Sequence, residues 1–174
     1  MLPAMSEPGV RLAVVLADTP DSAPVAPVAA PPADDVVVVE AQLRWGDMDV
    51  NRHINNVQVA RLFEEGRVRA FSRWFRGRGE QVHLLVARQD IEFRAPILYT
   101  EEPVSVAMAI TRLGTSSYTI GAAITAADGV LSALAGTTMV VIDPESGRPI
   151  PIPDGVRAVL SAYQGEVPAL RPAR

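Results

Sequence analysis

The residues best suited to chemistry lie in one short polar segment, residues 45–56. The segment reads Trp-Gly-Asp-Met-Asp-Val-Asn-Arg-His-Ile-Asn-Asn and contains two carboxylates, three amides and one imidazole. A predicted amphipathic helix follows directly, and the free N–H groups at a helix N-terminus favour developing negative charge. A carboxylate beside such an oxyanion site is the arrangement that acyl transfer requires.

Three other interpretations of this segment compete with catalysis. The spacing Asp-x-Asp-x-Asn from Asp47 copies the opening of an EF-hand calcium loop, but Arg52 stands where that loop needs Gly and Gln58 where it needs Glu. A His/Asp metal pair is disfavoured because only one histidine lies nearby. On composition alone, a polar loop that caps the helix is the simplest interpretation.

The composition excludes several classes of function. The chain has no Cys, which excludes thiolate catalysis, disulfides and Cys-based zinc sites, and it has only two His. A net charge of −4 gives no basic field for nucleic acid. No apolar run approaches the ~20 residues of a membrane span, and the run at 12–17 is too short for a signal-peptide core. We therefore expect a cytoplasmic protein without metal or other cofactor.

The chain divides into an extension, a domain and a tail. Seven of the 15 Pro residues fall within residues 1–35, which are rich in Ala and show no hydrophobic period. Such a segment cannot bury enough surface to offset its ordering entropy, so we predict disorder there. We expect one folded domain over residues 36–165 and a short tail over residues 166–174.

The domain begins with a strand and one long helix. Residues 39–45 alternate between apolar and polar, which predicts a strand with one wet face. A helix is predicted from Asn56 to Trp74, with Asn55 or Asn56 as N-cap. Glu65 is spaced for ion pairs with Arg61 and Arg69. The apolar face of the helix comprises Val59, Ala60, Phe63, Gly66, Ala70, Phe71 and Trp74. A glycine in that face predicts close approach to a sheet.

Four strand-like runs follow, at about 82–93, 104–113, 117–126 and 130–143. Short turns with Gly114 and Gly129 separate the last three runs and predict antiparallel hairpins. Small residues recur at alternate positions of these runs, which we interpret as a face against which the helix packs: Ala107, Ala109, Gly121, Ala123, Ala133 and Ala135. A short helix is expected near 154–164. We predict an α+β fold in which a curled antiparallel sheet wraps around one central helix.

These residues resemble a known family, the hotdog-fold acyl-CoA and acyl-ACP thioesterases. Gly-Asp-x-Asp at 46–49 and His-x-Asn-Asn at 53–56 are typical of that superfamily. The stretch Asp-Val-Asn-Arg-His-Ile-Asn-Asn at 49–56 is especially similar to the acyl-ACP thioesterase pattern Asp-Val-Asn-Gln-His-Val-Asn-Asn. The resemblance continues through the sheet runs, at 91–96, 113–117 and 138–143, and covers about residues 36–165.

The resemblance implies a set of site residues. Asp49 takes the position of the catalytic carboxylate, either as a general base that activates water or as a nucleophile that attacks the carbonyl. Asn51 and His53 would position substrate or water and polarise the thioester. Amides near Asn56 and Val57 would hold the thioester oxygen. The full set expected to bind substrate is Asn55, Asn56, Val57, Glu64, Ser116 and Ser117.

The resemblance also implies partners and leaves alternatives open. Many CoA-type members have Gly directly before the histidine, where this chain has Arg52, which favours the acyl-ACP-like subset. Plant acyl-ACP enzymes carry two hotdog modules and this chain has one, so we expect a homodimer or homotetramer acting on acyl-CoA or acyl carrier protein. The alternatives are a non-catalytic acyl-CoA-binding module, which would be expected to lack the carboxylate, and a hotdog dehydratase or hydratase, whose histidine patterns are not visible.

Overall fold

The structure, a computed structural model, describes residues 36–77 and 82–171. The predicted disordered extension over residues 1–35 and the last three residues of the predicted tail lie outside the described residues. The elements in chain order are β1 (Val37–Ala41), a 3-10 turn (Trp45–Asp47), α1 (Asn56–Trp74), β2 (Leu84–Phe93), β3 (Val104–Leu113), β4 (Ser117–Thr125), β5 (Leu131–Val141) and α2 (Asp154–Ser161).

The five strands form one antiparallel sheet in the order β1-β3-β4-β5-β2. β1 and β2 are its two edges and do not pair, so the sheet curls without closing. The predicted α+β hotdog architecture is confirmed, and so is the predicted hairpin at each of the two short turns. Gly129 has a φ of 83°, a left-handed conformation that glycine adopts without strain.

The central helix begins and ends at the predicted residues, and its glycine explains how closely it lies on the sheet. A Cβ built on Gly66 would lie 2.8 Å from Met108 Cε and 2.9 Å from Val106 Cγ1, both on β3. The predicted ion pairs of Glu65 are present, at 3.0 Å to Arg61 and 3.4 Å to Arg69. The glycine therefore allows an approach that a side chain would block.

The prediction that the helix packs on the small-residue face is wrong for two of the three strands. The helix contacts the β3 face that carries Val106 and Met108, whereas Ala107 and Ala109 lie on the opposite, outer face. In register with those alanines, the outer face of β4 carries Gly121 and Ala123. Strand alternation alone does not say which face is inside when both carry apolar residues.

The first strand is shorter than predicted. β1 ends at Ala41, and Trp45 is 73% exposed although the apolar alternation had included it. The physical reason is Asp47, whose side chain accepts a hydrogen bond from the Arg44 N–H at 2.9 Å and turns the chain out of the strand. The alternation therefore holds only as far as Leu43, which is buried.

The described part of the predicted tail lies on the outer face of the sheet. The Gly165 N–H donates to the Ile110 carbonyl at 3.2 Å, and Gln164 forms a parallel bridge with Ile110. Farther along, Val167 lies over Gly121 and Leu170 over Gly136, where the Cβ of any other residue at those two positions would lie. We call residues 165–171 the C-terminal strap. Neither described helix is both long and apolar enough to span a membrane.

Candidate active site

The polar segment folds into a closed loop between β1 and α1. Met48 and Ile54 form an antiparallel bridge, and inside it the Asp49 N–H donates to the His53 carbonyl at 2.9 Å. The loop is attached to the β2–β3 connection, because the Ile54 N–H donates to the Ile97 carbonyl at 2.8 Å. These bonds fix the loop at the N-terminal end of α1.

Asp49 uses one carboxylate oxygen to hold this loop. Its Oδ1 accepts the Asn51 N–H at 2.8 Å and the His53 N–H at 3.4 Å. Its Oδ2 takes part in no hydrogen bond with any described residue, and the side chain is half-buried at the wall of a pocket. Oδ1 thus has the structural role that a polar capping loop predicts, whereas Oδ2 remains available for chemistry.

Asp47 lies two residues earlier and makes different contacts. It is buried, and its Oδ2 accepts both the Arg44 N–H and the Arg61 guanidinium, each at 2.9 Å. Its carbonyl accepts the Asn55 N–H at 2.9 Å. Asp47 therefore ties the loop to the first turns of α1 and does not border the pocket.

The first turn of α1 leaves one amide free. Asn55 is the N-cap: its Oδ1 accepts the Val57 N–H at 2.9 Å, and its carbonyl accepts the N–H groups of Gln58 and Val59. The Asn56 N–H has no acceptor among the described residues. Of the two backbone amides predicted to hold the thioester oxygen, only that of Asn56 has no partner among the described residues, because the Asn55 side chain already accepts the Val57 N–H.

Asp49, His53 and Asn56 share one pocket of about 380 Å³. The rest of its lining comes from the end of the loop, the first turn of α1, the end of β2 with the segment after it, and the start of β5: Ile54, Val59, Phe93, Arg94, Ala95, Pro96, Ile97, Ser132 and Ala133. The wall combines apolar side chains with polar groups, among them the Asp49 carboxylate and the free Asn56 amide. Such a pocket suits an apolar chain attached to a polar carbonyl group.

Several predicted site residues lie elsewhere in this chain. Asn51 is exposed and contributes its backbone N–H to Asp49. The Glu64 side chain is 49% exposed and lies 3.9 Å from the guanidinium of Arg67, whose pKa is lowered by burial. Neither residue borders the pocket.

Ser116 and Ser117 lie at the far end of the sheet. Ser116 ends the turn before β4 and Ser117 is the first residue of β4, where its carbonyl accepts the Gly114 N–H at 2.8 Å. The pocket borders the other end, where β5 starts, about 25 Å away along the strand. Within one chain they cannot contact the same thioester group as Asp49, so their predicted role requires a second copy or a distant part of the substrate.

The β2 side of the pocket was not predicted as part of the site. The stretch at 91–96 had been noted only as a strand that resembles the family. Its Ala-Pro ending was the available signal, because Pro96 has no N–H with which to continue the ladder. The contribution of Ser132 depends on pairing between distant strands, which no local pattern reveals.

The described residues hold no cluster of three or more His, Asp or Glu side chains arranged as metal ligands. Among the described residues that line the pocket, Asp49 is the one carboxylate and Arg94 the one arginine. Its remaining polar groups are neutral side chains and backbone amides, and His53.

Comparisons with known proteins bear on the family and the fold. A model of the thioesterase-like superfamily matches residues 43–160. A search of curated proteins gives no significant match. Among solved structures, a predicted thioesterase from Bacillus stearothermophilus has a TM-score of 0.68 and 27% identity, over 76% of this chain and 99% of that one. A thioesterase from Thermus thermophilus, complexed with coenzyme A and Zn, has a TM-score of 0.65 and 29% identity, over 78% and 98%.

A third similar structure bears on the fold alone. The 1,4-dihydroxy-2-naphthoyl-CoA thioesterase from Synechocystis is 20% identical, with a TM-score of 0.63, over 72% of this chain and 96% of that one. The region of this chain that matches the superfamily begins two residues before the 3-10 turn and ends within α2. It therefore includes the loop, the pocket and most of the sheet, and it excludes the C-terminal strap.

Proposed function

Because the chain belongs to the thioesterase-like superfamily, we propose that it hydrolyses acyl thioesters to a free acid and a thiol, with Asp49 as the catalytic carboxylate. The observation that carries the proposal is that the two carboxylate oxygens of Asp49 make different contacts. Oδ1 is held by two backbone N–H groups, while Oδ2 has no partner among the described residues and borders the pocket. A carboxylate held in this way is oriented before substrate arrives.

Two chemical routes fit this arrangement. In the first, Asp49 takes a proton from water, the hydroxide adds to the thioester carbonyl, and the thiolate leaves and is protonated. In the second, Oδ2 adds to the carbonyl, the thiolate leaves, and water hydrolyses the resulting anhydride. Both consume one water and release acid and thiol.

The free N–H of Asn56 is the proposed oxyanion donor. It lies at the positive end of a 19-residue helix and borders the same pocket as Asp49. Negative charge that develops on the carbonyl oxygen would be stabilised there as the tetrahedral intermediate forms. His53, on the same wall, would help to orient the thioester or the water.

The proposed substrates are thioesters of CoA or of an acyl carrier protein. The Thermus thermophilus relative was solved with coenzyme A, which supports a CoA thiol for this chain. The apolar wall formed by Ile54, Val59, Phe93, Ile97 and Ala133 suits an acyl group. An assay of thiol release across acyl-CoA chain lengths tests the activity directly. A chain that binds acyl-CoA but releases no thiol would contradict the proposal and favour a binding module.

We also propose that the active form is a homodimer or a homotetramer. β2 is a ten-residue edge strand that pairs, among the described strands, with β5 alone, and it exposes Val86 by 47% and Phe93 by 49%. Unpaired edges favour association with another strand. Phe93 also borders the pocket, so pairing at β2 would cover the candidate site.

The dimer proposal predicts different effects at the two edges of the sheet. Val86→Asp should shift the mass in light scattering towards one chain, because the charge would be buried between paired strands. Val38→Asp is the matched control, since Val38 is 49% exposed on the opposite edge, β1. A wild-type monomer with full activity would contradict this proposal.

A further inference from the structure

One carboxylate beside the pocket is shared by two arginines. Glu92 Oε1 lies 2.7 Å from Arg94 Nε and 2.5 Å from Arg171 Nε, and its Oε2 accepts the Arg171 N–H at 2.8 Å. The Glu92 side chain is only 14% exposed. Two guanidinium groups and one carboxylate leave this cluster with one uncompensated positive charge.

Arg94 connects the cluster with the candidate active site. Arg94 borders the pocket together with Asp49, and its backbone is fixed because the N–H groups of Arg94 and Ala95 both donate to the Ser132 carbonyl, at 2.8 and 3.1 Å. Its guanidinium is bonded to Glu92, on the face of the sheet that carries the strap, at the edge of the pocket. With its backbone tied to β5 and its side chain tied to Glu92, Arg94 has little freedom to leave the pocket rim. Its side chain is still 34% exposed, so it remains accessible to a ligand.

The charge of Asp49 makes a cation at this rim important. An isolated carboxylate in a pocket repels an anionic substrate, whereas a guanidinium nearby offsets that repulsion and can bind an oxyanion through two N–H groups. Since one carboxylate is divided between two arginines, Arg94 is not fully neutralised by its partner.

The C-terminal strap reaches this cluster from outside the region that matches the family. It starts at the Ile110 carbonyl, crosses β4 and β5 over Gly121 and Gly136, and ends at Glu92 on β2. A Cβ on Gly121 would lie 2.5 Å from Val167 Cγ2, so the strap approaches β4 at a position where β4 has no side chain. The two bonds from Arg171 hold the carboxylate to which Arg94 is paired.

We propose that Arg94 is a specificity-determining residue that binds an oxyanion of the thioester substrate, and that the C-terminal strap positions it through Arg171 and Glu92. This inference rests on the proposed function and names the feature of the substrate that the site selects. The oxyanion has two sources: a phosphate on the thiol carrier, as in CoA or phosphopantetheine, or a carboxylate on the acyl group. The chemistry of recognition is the same for both.

The test compares three substrates with one acyl chain length, chosen as the neutral acyl group that the wild type cleaves best. The first is its CoA thioester, the second is its pantetheine thioester, which has no phosphate, and the third is a pantetheine thioester whose acyl chain ends in a carboxylate. KM and kcat are measured for the wild type, Arg94→Ala, Arg171→Ala and the double variant. Arg112→Ala is the control, since Arg112 is exposed on β3 and does not border the pocket.

Arg94→Ala should raise KM about tenfold or more for an anionic substrate, the loss expected for one charge-assisted hydrogen bond, while kcat stays nearly unchanged. The neutral pantetheine thioester should be cleaved as by the wild type. An effect on the first substrate identifies a phosphate, and an effect on the third identifies an acyl carboxylate. Arg171→Ala should act in the same direction but less, and should add nothing in the Arg94→Ala background, because it acts through Arg94.

Equal losses on all three substrates, or no loss on either anionic one, would overturn this inference alone. An additive effect of Arg171→Ala in the double variant would overturn the role of the strap. If the wild type cleaves none of the three substrates, the proposed function fails and this inference fails with it. The two failures can be told apart, because in the first the wild type is inactive, and in the second the wild type is active and Arg94→Ala has the same turnover.

Discussion

At the scale of single residues, two aspartates of the same loop differ in what their oxygens contact. Asp47 is buried and bound to Arg44 and Arg61, whereas Asp49 leaves Oδ2 without a described partner at the pocket. The sequence resemblance had already assigned chemistry to the second aspartate. The structure adds a physical role for the first, which attaches the loop to α1.

Asp47→Asn tests this separation. The amide keeps the size of the side chain but removes the charge that pairs with Arg61, so the free energy of unfolding should fall by about 1–3 kcal/mol. Turnover should fall much less than it does on substitution of Asp49. Urea unfolding and a thioesterase assay measure the two effects.

The control for that substitution is Asp90→Asn, which disrupts an exposed pair with Arg88 and should change stability much less, because solvent screens that pair. If Asp47→Asn is as stable as the wild type but inactive, Asp47 belongs to the chemistry and the separation of roles is wrong.

Arg52 shows how a departure from the family pattern can be read in physical terms. Its φ is 63°, a left-handed conformation that costs a residue with a side chain about 1–2 kcal/mol. Many CoA-type members of the hotdog thioesterase family, which this sequence resembles, have Gly at this position. The backbone of the loop thus explains why glycine is common there, independently of any difference in substrate.

Which helix amide is free could not be predicted from the sequence. Both Asn55 and Asn56 were acceptable N-caps, and the choice decides whether Val57 or Asn56 keeps a free N–H. In the structure, Asn55 Oδ1 accepts the Val57 N–H. Local propensity ranks the two asparagines equally, so only the path of the chain into the helix decides between them.

At the scale of elements, the approach of α1 to β3 depends on the absence of a side chain at Gly66. An alanine there would gain about 1 kcal/mol of helix propensity. Its Cβ would, however, lie 2.9 Å from Cγ1 of Val106, a β-branched residue with little rotamer freedom.

We therefore expect Gly66→Ala to destabilise the domain, because overpacking typically costs about 1–3 kcal/mol. The free energy of unfolding in urea measures the difference. Gly46→Ala is the control, since a Cβ on Gly46 has no atom within 4 Å and should change stability little. A more stable Gly66→Ala variant would show that the helix can move away from the sheet at no cost.

The elements themselves were largely predictable because their patterns are local. The 19-residue helix has a continuous apolar face, and the hairpins have Gly at their turns. The end of β1 was not predictable, because it depends on a hydrogen bond from Arg44 to a buried carboxylate. The outer face of the sheet was assigned to the helix wrongly, because small residues occur on both faces.

At the scale of the whole molecule, Glu92 joins the strap to the edge strand. The hydrogen bond from the Arg171 N–H lowers the pKa of Glu92 below its ordinary value, with help from both guanidinium groups. A carboxyl whose folded-state pKa is lowered stabilises the fold above its ordinary pKa, about 4.3, and loses that contribution as the pH falls through the lowered value.

The difference in stability between the wild type and Glu92→Gln should therefore depend on pH. The wild type should be the more stable at about pH 7, and the two should converge as the pH falls through the lowered pKa of Glu92. Urea unfolding over this range measures the difference, and other carboxyl groups cancel because both proteins contain them. A difference that does not change with pH would show that the carboxylate does not hold the strap.

The measurement that tests the central claim most directly is turnover of an acyl-CoA by Asp49→Asn. The amide keeps an oxygen that can accept the N–H groups of Asn51 and His53, so folding and oligomeric state should not change. It cannot act as a base or as a carboxylate nucleophile, so kcat should fall by at least about 10²–10⁴-fold. His53→Ala should have an intermediate effect, because His53 borders the pocket. Turnover of acyl-CoA by Asp49→Asn at the wild-type rate would contradict the assignment of Asp49.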